Sequence, residues 1–347
     1  MNLPAKCRCI AGNCLRVSSY IVAMQRLVLL LLTGLLNSPV ASADWYQYQQ
    51  PVMGTIIRLE LWANDRFRAD RSMAKVMDEM HRIDHLMSHY KSDSELSLLN
   101  KSAARGWTGV SKELFALIDQ SLLYSRLTRG AFDITYASVG YQYNFRFGKR
   151  PSNQQIKTTL SAVNYKNLVL DKKQQRLRYA VPGVLIDLGG IAKGYAVDRG
   201  IEILNRAGIR HAMIGLGGDS RMLGDRRGRP WQLGVRHPRS HNAIVARLPL
   251  VNQAISTSGD YEQYFERDGI RYHHIIDPRT GDSARATRSV TVTGPDATQT
   301  DALSTGLFVM GNNQAMQLIE SLDGYEAIII DDKGKLSASS GLRTFMP

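Results

Sequence analysis

The chain has 347 residues, 44% hydrophobic and 22% charged, with a formal charge of +13. That length can bury one large core or two ordinary ones, and the composition excludes a wholly disordered, collagen-like or polytopic membrane protein. The basic excess raises nucleic acid as a partner, but the charges are scattered. Their one local knot (Arg226, Arg227, Arg229) reads as a solvated hairpin tip at a Gly-Pro turn, and no nucleic-acid-binding motif accompanies it, so none is expected to bind.

Leu27–Leu36 is a ten-residue apolar run preceded by Arg26 and followed by Ala41-Ser42-Ala43. It is too short to span a bilayer, which takes roughly 20 residues. Basic flank, short apolar core and small-x-small site together predict a secretory signal peptide over residues 1–43, with translation starting at Met24 and the mature chain at Asp44. Four basic residues and no acid fall in 1–43, which leaves +9 beyond them. Cys7, Cys9 and Cys14 all precede the apolar run. The expected mature chain therefore has no disulfide, no thiolate chemistry and no cysteine for lipid attachment. The expectation is a periplasmic protein without a transmembrane helix, with residues 44–347 as its one folded domain.

Residues 52–61 alternate and are β-branched, which predicts a strand after a turn. Met73, Val76, Met77, Met80, Ile83 and Met87 recur at helical spacing over 70–88. Ser111 is placed to cap a helix carrying Leu114, Leu117, Ile118 and Leu122. After short strand-like runs at 167–170 and 176–179, Val184–Ile186 reads as a strand entering the Gly189-Gly190 turn and a helix over 192–204. Strands follow at 212–216, 231–236, 245–250, 271–276 and 288–293. Helices start near Thr300 and Asn313, and a last strand is 327–330. Without regular βαβ alternation, this order predicts an α+β fold of mixed or antiparallel sheets with packed helices.

Four stretches carry polar groups in patterns that suit chemistry. IDLGGIAKGYAVD (186–198) runs from an apolar segment through two glycines into a helix, and reads either as a phosphate-binding turn with Lys193 adding charge or as a structural turn. GLGGDSRMLG (215–224) lacks the third glycine and the helix of a dinucleotide fingerprint, so Asp219 belongs to a tight strand connection, aimed into a site or simply serving the turn. Residues 254–281 hold Ser256, Thr257, Ser258, Asp260, Tyr261, His273, His274, Asp277 and Arg279. Within them His274-x-x-Asp277 is a weak metal signal, and His274 is either a half-buried hydrogen-bonded histidine or an acting one. Asp301 and Thr305, four apart on one helix face, are hard oxygen donors that suit Mg²⁺; Asp301 equally suits the helix dipole.

Taken in order, these stretches with Met53-Gly54-Thr55, MSHYKSDSELSLLN, GAFDIT (130–135), TSGDYEQYF, HHIIDPRTG and DALSTGLFVMG resemble the bacterial ApbE-type flavin transferases from about Pro51 to Met310. The resemblance implies a T-fold-like arrangement with FAD between two halves of the chain. It implies that Met53, Tyr90, Ala131, Phe132, Asp133, Asp187, Lys193 and Ile275 hold the flavin nucleotide. Mg²⁺ falls to the Gly190 carbonyl with Asp301, Ser304 and Thr305. The implied reaction cleaves FAD at its pyrophosphate, attaches FMN through a phosphoester to a Thr or Ser of an exported protein such as a membrane redox-complex subunit, and releases AMP. His274 is the candidate base for the acceptor hydroxyl. The alternatives are an FAD pyrophosphatase and a periplasmic flavin carrier without chemistry; an intact metal set argues against the carrier. The sequence departs from the family pattern at Gly215-Leu216 and at Tyr143–Gly148.

Overall fold

The computed structural model describes residues 43–346. The leader read over residues 1–43 lies outside them, apart from Ala43. From Asp44 onward the chain forms one compact unit.

Its frame is an eight-stranded sheet: β1 (Asp44–Val52), β2 (Thr55–Ala63), β3 (Ala212–Leu216), β4 (Asp219–Leu223), β5 (Ala254–Gly259), β6 (Thr287–Gly294), β7 (Glu326–Asp331) and β8 (Leu336–Ala338). These strands lie side by side in chain order, each antiparallel to the next. The fold is thus a meander whose connections carry everything else, α+β as the sequence predicts. The largest insertion, between β2 and β3, holds α1 (Arg66–Met87), α2 (Glu95–Ser102), α3 (Lys112–Leu127) and α4 (Ala192–Arg206). A hairpin of Trp231–His237 and Ser240–Leu250 follows β4, two small hairpins follow β5, and α5 (Ala297–Met310) follows β6.

The sheet buries both faces, because side chains alternate along a strand. On β7, Ile329 joins the main core with Leu59, Leu216, Val290 and the helices, while Ile328 joins Met222, Trp231, Leu248 and Ile255 under the 231–250 hairpin. The methionine stripe of α1 is core as predicted, with Met73, Met80 and Met87 buried. Ser111 caps α3 by accepting from the Leu114 N–H at 3.2 Å. α5 is buried nearly all round, polar residues included, since it packs against the sheet and α4 at once.

Four expectations need correction. The strand read over 52–61 straddles a two-residue turn: Met53 (φ +52°) and Gly54 (φ +70°) join β1 to β2, and β1 was missed because its outward residues are polar. Val184–Ile186 is extended but pairs with no strand; Ile186 spends its N–H and C=O on the Asn100 side chain. The run 271–276 breaks at His274, with Ile270–His273 pairing back on Tyr264–Arg267. The basic knot is not simply solvated. Arg226 lies 4.9 Å from the Trp45 ring centroid and pairs with Glu60, and Arg227 lies 4.8 Å over Trp62. Among the described residues no helix is long and apolar enough to cross a membrane.

Candidate functional site

A cavity of about 830 Å³ opens between the β2–β3 insertion and the turns of the sheet, within the usual range for ligand pockets of about 300–1,000 Å³. Every site residue named from sequence lines it except Ser304: Met53, Tyr90, Ala131, Phe132, Asp133, Asp187, Gly190, Lys193, His274, Ile275, Asp301 and Thr305. Met53 occupies left-handed backbone, which costs a non-glycine residue roughly 1–3 kcal/mol, and such strain gathers at functional sites.

At the floor, α4 and α5 bring charges together. Lys193 Nζ is 2.8 Å from Asp219 Oδ2 and 3.7 Å from Asp301 Oδ2. The Gly194 N–H, in the first turn of α4, donates to Asp301 Oδ2 at 3.0 Å. A partner carboxylate thus takes a donor that the sequence suggested was open for phosphate. Asp219 opens β4 just after the Gly217-Gly218 turn and is buried against Lys193 without lining the cavity; a Cβ at Gly218 would fall 2.5 Å from the Thr257 carbonyl oxygen. Burial, and then the Asp219 charge, push Asp301 up to about 7. Burial pulls Lys193 down, but the two carboxylates overcome it and hold the ammonium above the ordinary lysine value. Two buried carboxylates against one ammonium leave a site short of positive charge.

Close approach of α4 to α5 requires glycine. A Cβ on Gly194 would lie 2.1 Å from the Ala297 carbonyl oxygen and 2.8 Å from Asp301 Cβ. Gly194→Ala should force the helices apart, at about 1–3 kcal/mol. Thermal melting should show Tm lower by several degrees; an unchanged Tm would contradict the contact.

Hydroxyls complete the floor. Ser258 Oγ lies 2.9 Å from Ser304 Oγ and 3.2 Å from Thr305 Oγ1. Ser304 is buried behind the wall and donates to its own helix at Asp301 O, 3.0 Å, so it supports Ser258 and does not face the cavity. A Cβ at Gly190 would lie 3.2 Å from Thr305 Oγ1, so the turn and α5 meet closely. Among the described residues no three His, Cys, Asp or Glu side chains converge as a metal group. The donors here are one carboxylate with hydroxyls and a backbone carbonyl, the hard oxygens that Mg²⁺ takes alongside substrate phosphates.

Asp187 anchors an aromatic wall. Its carboxylate accepts from Tyr136 and Tyr141 hydroxyls at 2.9 Å each and from the Gly189 N–H at 2.6 Å, and His89 Nδ1 is 2.6 Å away. Burial raises its pKa, but the His89 hydrogen bond and charge outweigh that and hold it below the usual carboxylate range. His89 lies between the rings of Tyr141 (4.4 Å, stacked) and Tyr90 (3.7 Å), and Tyr90 is 85% exposed at the mouth. Asp133 spends its carboxylate on the Thr135 N–H, the Thr135 hydroxyl and the Tyr165 N–H. What that turn presents to a ligand is backbone and the Phe132 ring.

The two neighbouring histidines face different surroundings. His273 is the core one: buried, its Nε2 2.6 Å from Ala284 O. His274 lines the cavity, and its Nδ1 is buried without a hydrogen-bond partner. Burial, then the neighbouring His273 and Lys193, lower its pKa to about 4, so the ring is neutral at pH 7. Asp277 is no partner to it; that carboxylate pairs with Arg279 at 2.7 Å, as Asp260 pairs with Arg239. Ser256 is likewise spent, on Thr300 at 2.8 Å. Sequence reasoning missed His89, Tyr136, Tyr141 and Glu262, which also lie at this site or support it. Only proximity to Asp187, across more than 40 residues, marks the tyrosines.

Comparison with known proteins agrees with this geometry. The family model described as the ApbE family matches residues 53–329. An FAD:protein FMN transferase of Haemophilus influenzae is 34% identical over 266 residues, covering 73% of this chain and 77% of that protein. One from Vibrio cholerae is 30% identical over 314 residues, covering 88% and 93%. The crystal structure of the ApbE protein from Thermotoga maritima superposes with a TM-score of 0.81 at 34% identity, covering 88% of this chain and all of that one. The V. cholerae flavin transferase ApbE gives 0.78 at 28% identity with the same coverage. With the match running through every wall of the cavity, the chain belongs to the ApbE family.

Proposed function

We propose that this chain is an FAD:protein FMN transferase that moves FMN from FAD onto a Thr or Ser hydroxyl of an exported protein and releases AMP. The observation that carries the reading is the pairing, around one cavity, of a neutral histidine whose Nδ1 lacks a partner with a floor of buried carboxylates and hydroxyls. The acceptor oxygen attacks the FMN-side phosphorus, the bond to the AMP oxygen breaks, and His274 takes the hydroxyl proton. Lys193 and the Gly189-Gly190 turn orient the pyrophosphate, and Tyr90 on its His89–Tyr141 support offers a ring face to a planar group.

Asp301 and Thr305, with the Gly190 carbonyl, are the groups that would hold Mg²⁺, and Ser304 acts from behind through Ser258. When bound, the ion would neutralise charge developing on phosphoryl oxygens. The donor set fits, since a dication offsets the excess of buried carboxylate over ammonium.

The deciding experiment incubates the protein with FAD and Mg²⁺, with and without Thr-containing acceptor peptides. Mass spectrometry should find one FMN added to a peptide, absent when its Thr is changed to Val. FAD consumed at one rate regardless of acceptor, with no adduct, would make the protein a pyrophosphatase.

The export reading is supported by the Ala41-Ser42-Ala43 site behind a short apolar run. Protein recovered from the periplasm should have the intact mass of a chain starting at Asp44. A mass that retains residues 24–43 would point to a tethered enzyme instead.

A further inference from the structure

The cavity rim continues onto a surface that the chemistry above does not use. Residues 144–149 (Asn-Phe-Arg-Phe-Gly-Lys) close on themselves, with Asn144 N–H donating to Lys149 O at 2.8 Å and Lys149 N–H to Asn144 O at 2.9 Å. Phe145 lines the cavity, stacks on Tyr143 at 5.5 Å and meets Phe265 at 6.1 Å. Phe265 stacks on Tyr272 at 5.2 Å across the hairpin of Tyr264–Arg267 and Ile270–His273. Loop and hairpin therefore form one aromatic ledge leading outward from the cavity. At its edge Phe147 is 77% exposed.

The ledge also carries unspent positive charge. Arg150 and Arg271 are paired with Asp282 and Glu266. Arg146, Lys149 and Arg267 make no ion pair among the described residues, and Arg267 lies 5.8 Å over Tyr272. Guanidinium groups set against exposed aromatic rings are what an interface uses to receive carboxylates.

We infer that this ledge docks the acceptor protein, and that it fits an acceptor segment bearing Asp or Glu beside the hydroxyl to be modified. The inference rests on the transferase reading and names the partner's chemistry. Direction comes from the hairpin, whose second strand ends at His273 and delivers the chain to His274. From Ile270 to His274 is about 13 Å of extended chain. A short extended segment laid along the ledge would thus bring its hydroxyl toward the candidate base.

The test uses a synthetic peptide library with a fixed central Thr and random flanks, incubated with FAD and Mg²⁺. FMN-bearing peptides are sequenced by mass spectrometry for the unmodified protein and for the double variant Arg146→Glu, Arg267→Glu. The unmodified protein should enrich Asp and Glu in the flanks. The double variant should lose that enrichment and label the acidic peptides at least ~10-fold more slowly, as expected for like charges brought together. FAD binding, followed by flavin fluorescence, should be unchanged. Phe147→Ala should raise KM for an enriched peptide with kcat kept. The same peptide choice and rate in both proteins would overturn the docking role. So would loss of binding to phosphatidylglycerol vesicles with peptide choice unchanged, which would assign the ledge to a membrane surface. No labelled peptide from the unmodified protein would instead overturn the transferase reading, and the docking role with it.

Discussion

Asp301→Asn is expected to abolish Mg²⁺-dependent turnover while the protein still folds. Removing the one carboxylate of the proposed metal set should cost several kcal/mol of charge stabilisation at the phosphoryl group, about a thousandfold in rate. Asparagine keeps an oxygen to accept from the Gly194 N–H, so the α4–α5 contact survives; alanine would leave that buried donor unpaired, at about 1–3 kcal/mol. Removing one of two buried carboxylates also relieves repulsion with Asp219. Steady-state rates against Mg²⁺, with melting curves for each variant, check this. Wild-type turnover in a folded variant would remove Asp301 from the metal set. Thr305→Val should lose less, since water replaces a neutral hydroxyl more readily than a carboxylate. The same carboxyl sets a pH dependence. With a pKa of about 7 it is half protonated at neutrality when no metal is bound. Mg²⁺ affinity should therefore fall as pH drops through about 7, tending to tenfold per unit below it. The acid limb of activity should move to lower pH as Mg²⁺ is raised, because metal and proton compete. An affinity flat from pH 8 to 6 by calorimetry would contradict the shift.

His274→Ala should slow FMN transfer by about 10²–10⁴-fold, the usual worth of a general base. FAD affinity should change by less than about tenfold, the scale of one lost hydrogen bond at roughly 0.5–1.5 kcal/mol. Folding is not at stake in the same way: the ring's Nδ1 has no protein partner, and the residue's backbone N–H to Gln263 O survives the change. The neighbouring His273→Ala should do the reverse, since its ring bonds Ala284 O in the core and packs edge-on to Phe308 at 5.5 Å. Single-turnover rates and flavin fluorescence titrations separate the two. Equal losses of rate and affinity in His274→Ala would make it a binding residue.

Much of this protein is legible in the order of its residues. The methionine stripe at helical spacing, the Ser111 cap and the alternating runs of the sheet follow from local periodicity, which is a property of neighbours in the chain. The glycine turn at 189–190 and the i, i+4 pair of Asp301 and Thr305 are equally local. Family resemblance, carried by those same short strings, supplied the rest of the cavity's outline.

What local pattern does not hold is pairing across distance. The residues of 254–281 look equally able to act, and only the folded chain shows Asp260 and Asp277 consumed by arginines, Ser256 by Thr300 and His273 by a carbonyl. His274 is left because its neighbours are spoken for. Ser304 looks like Thr305 in sequence, one residue away, yet a helix turns 100° per residue and carries it behind the wall. The shift of Asp301 toward neutrality comes first from its burial and then from Asp219, more than 80 residues earlier and on a different element. A carboxylate's charge depends on what surrounds it in space, and that the tertiary structure alone decides.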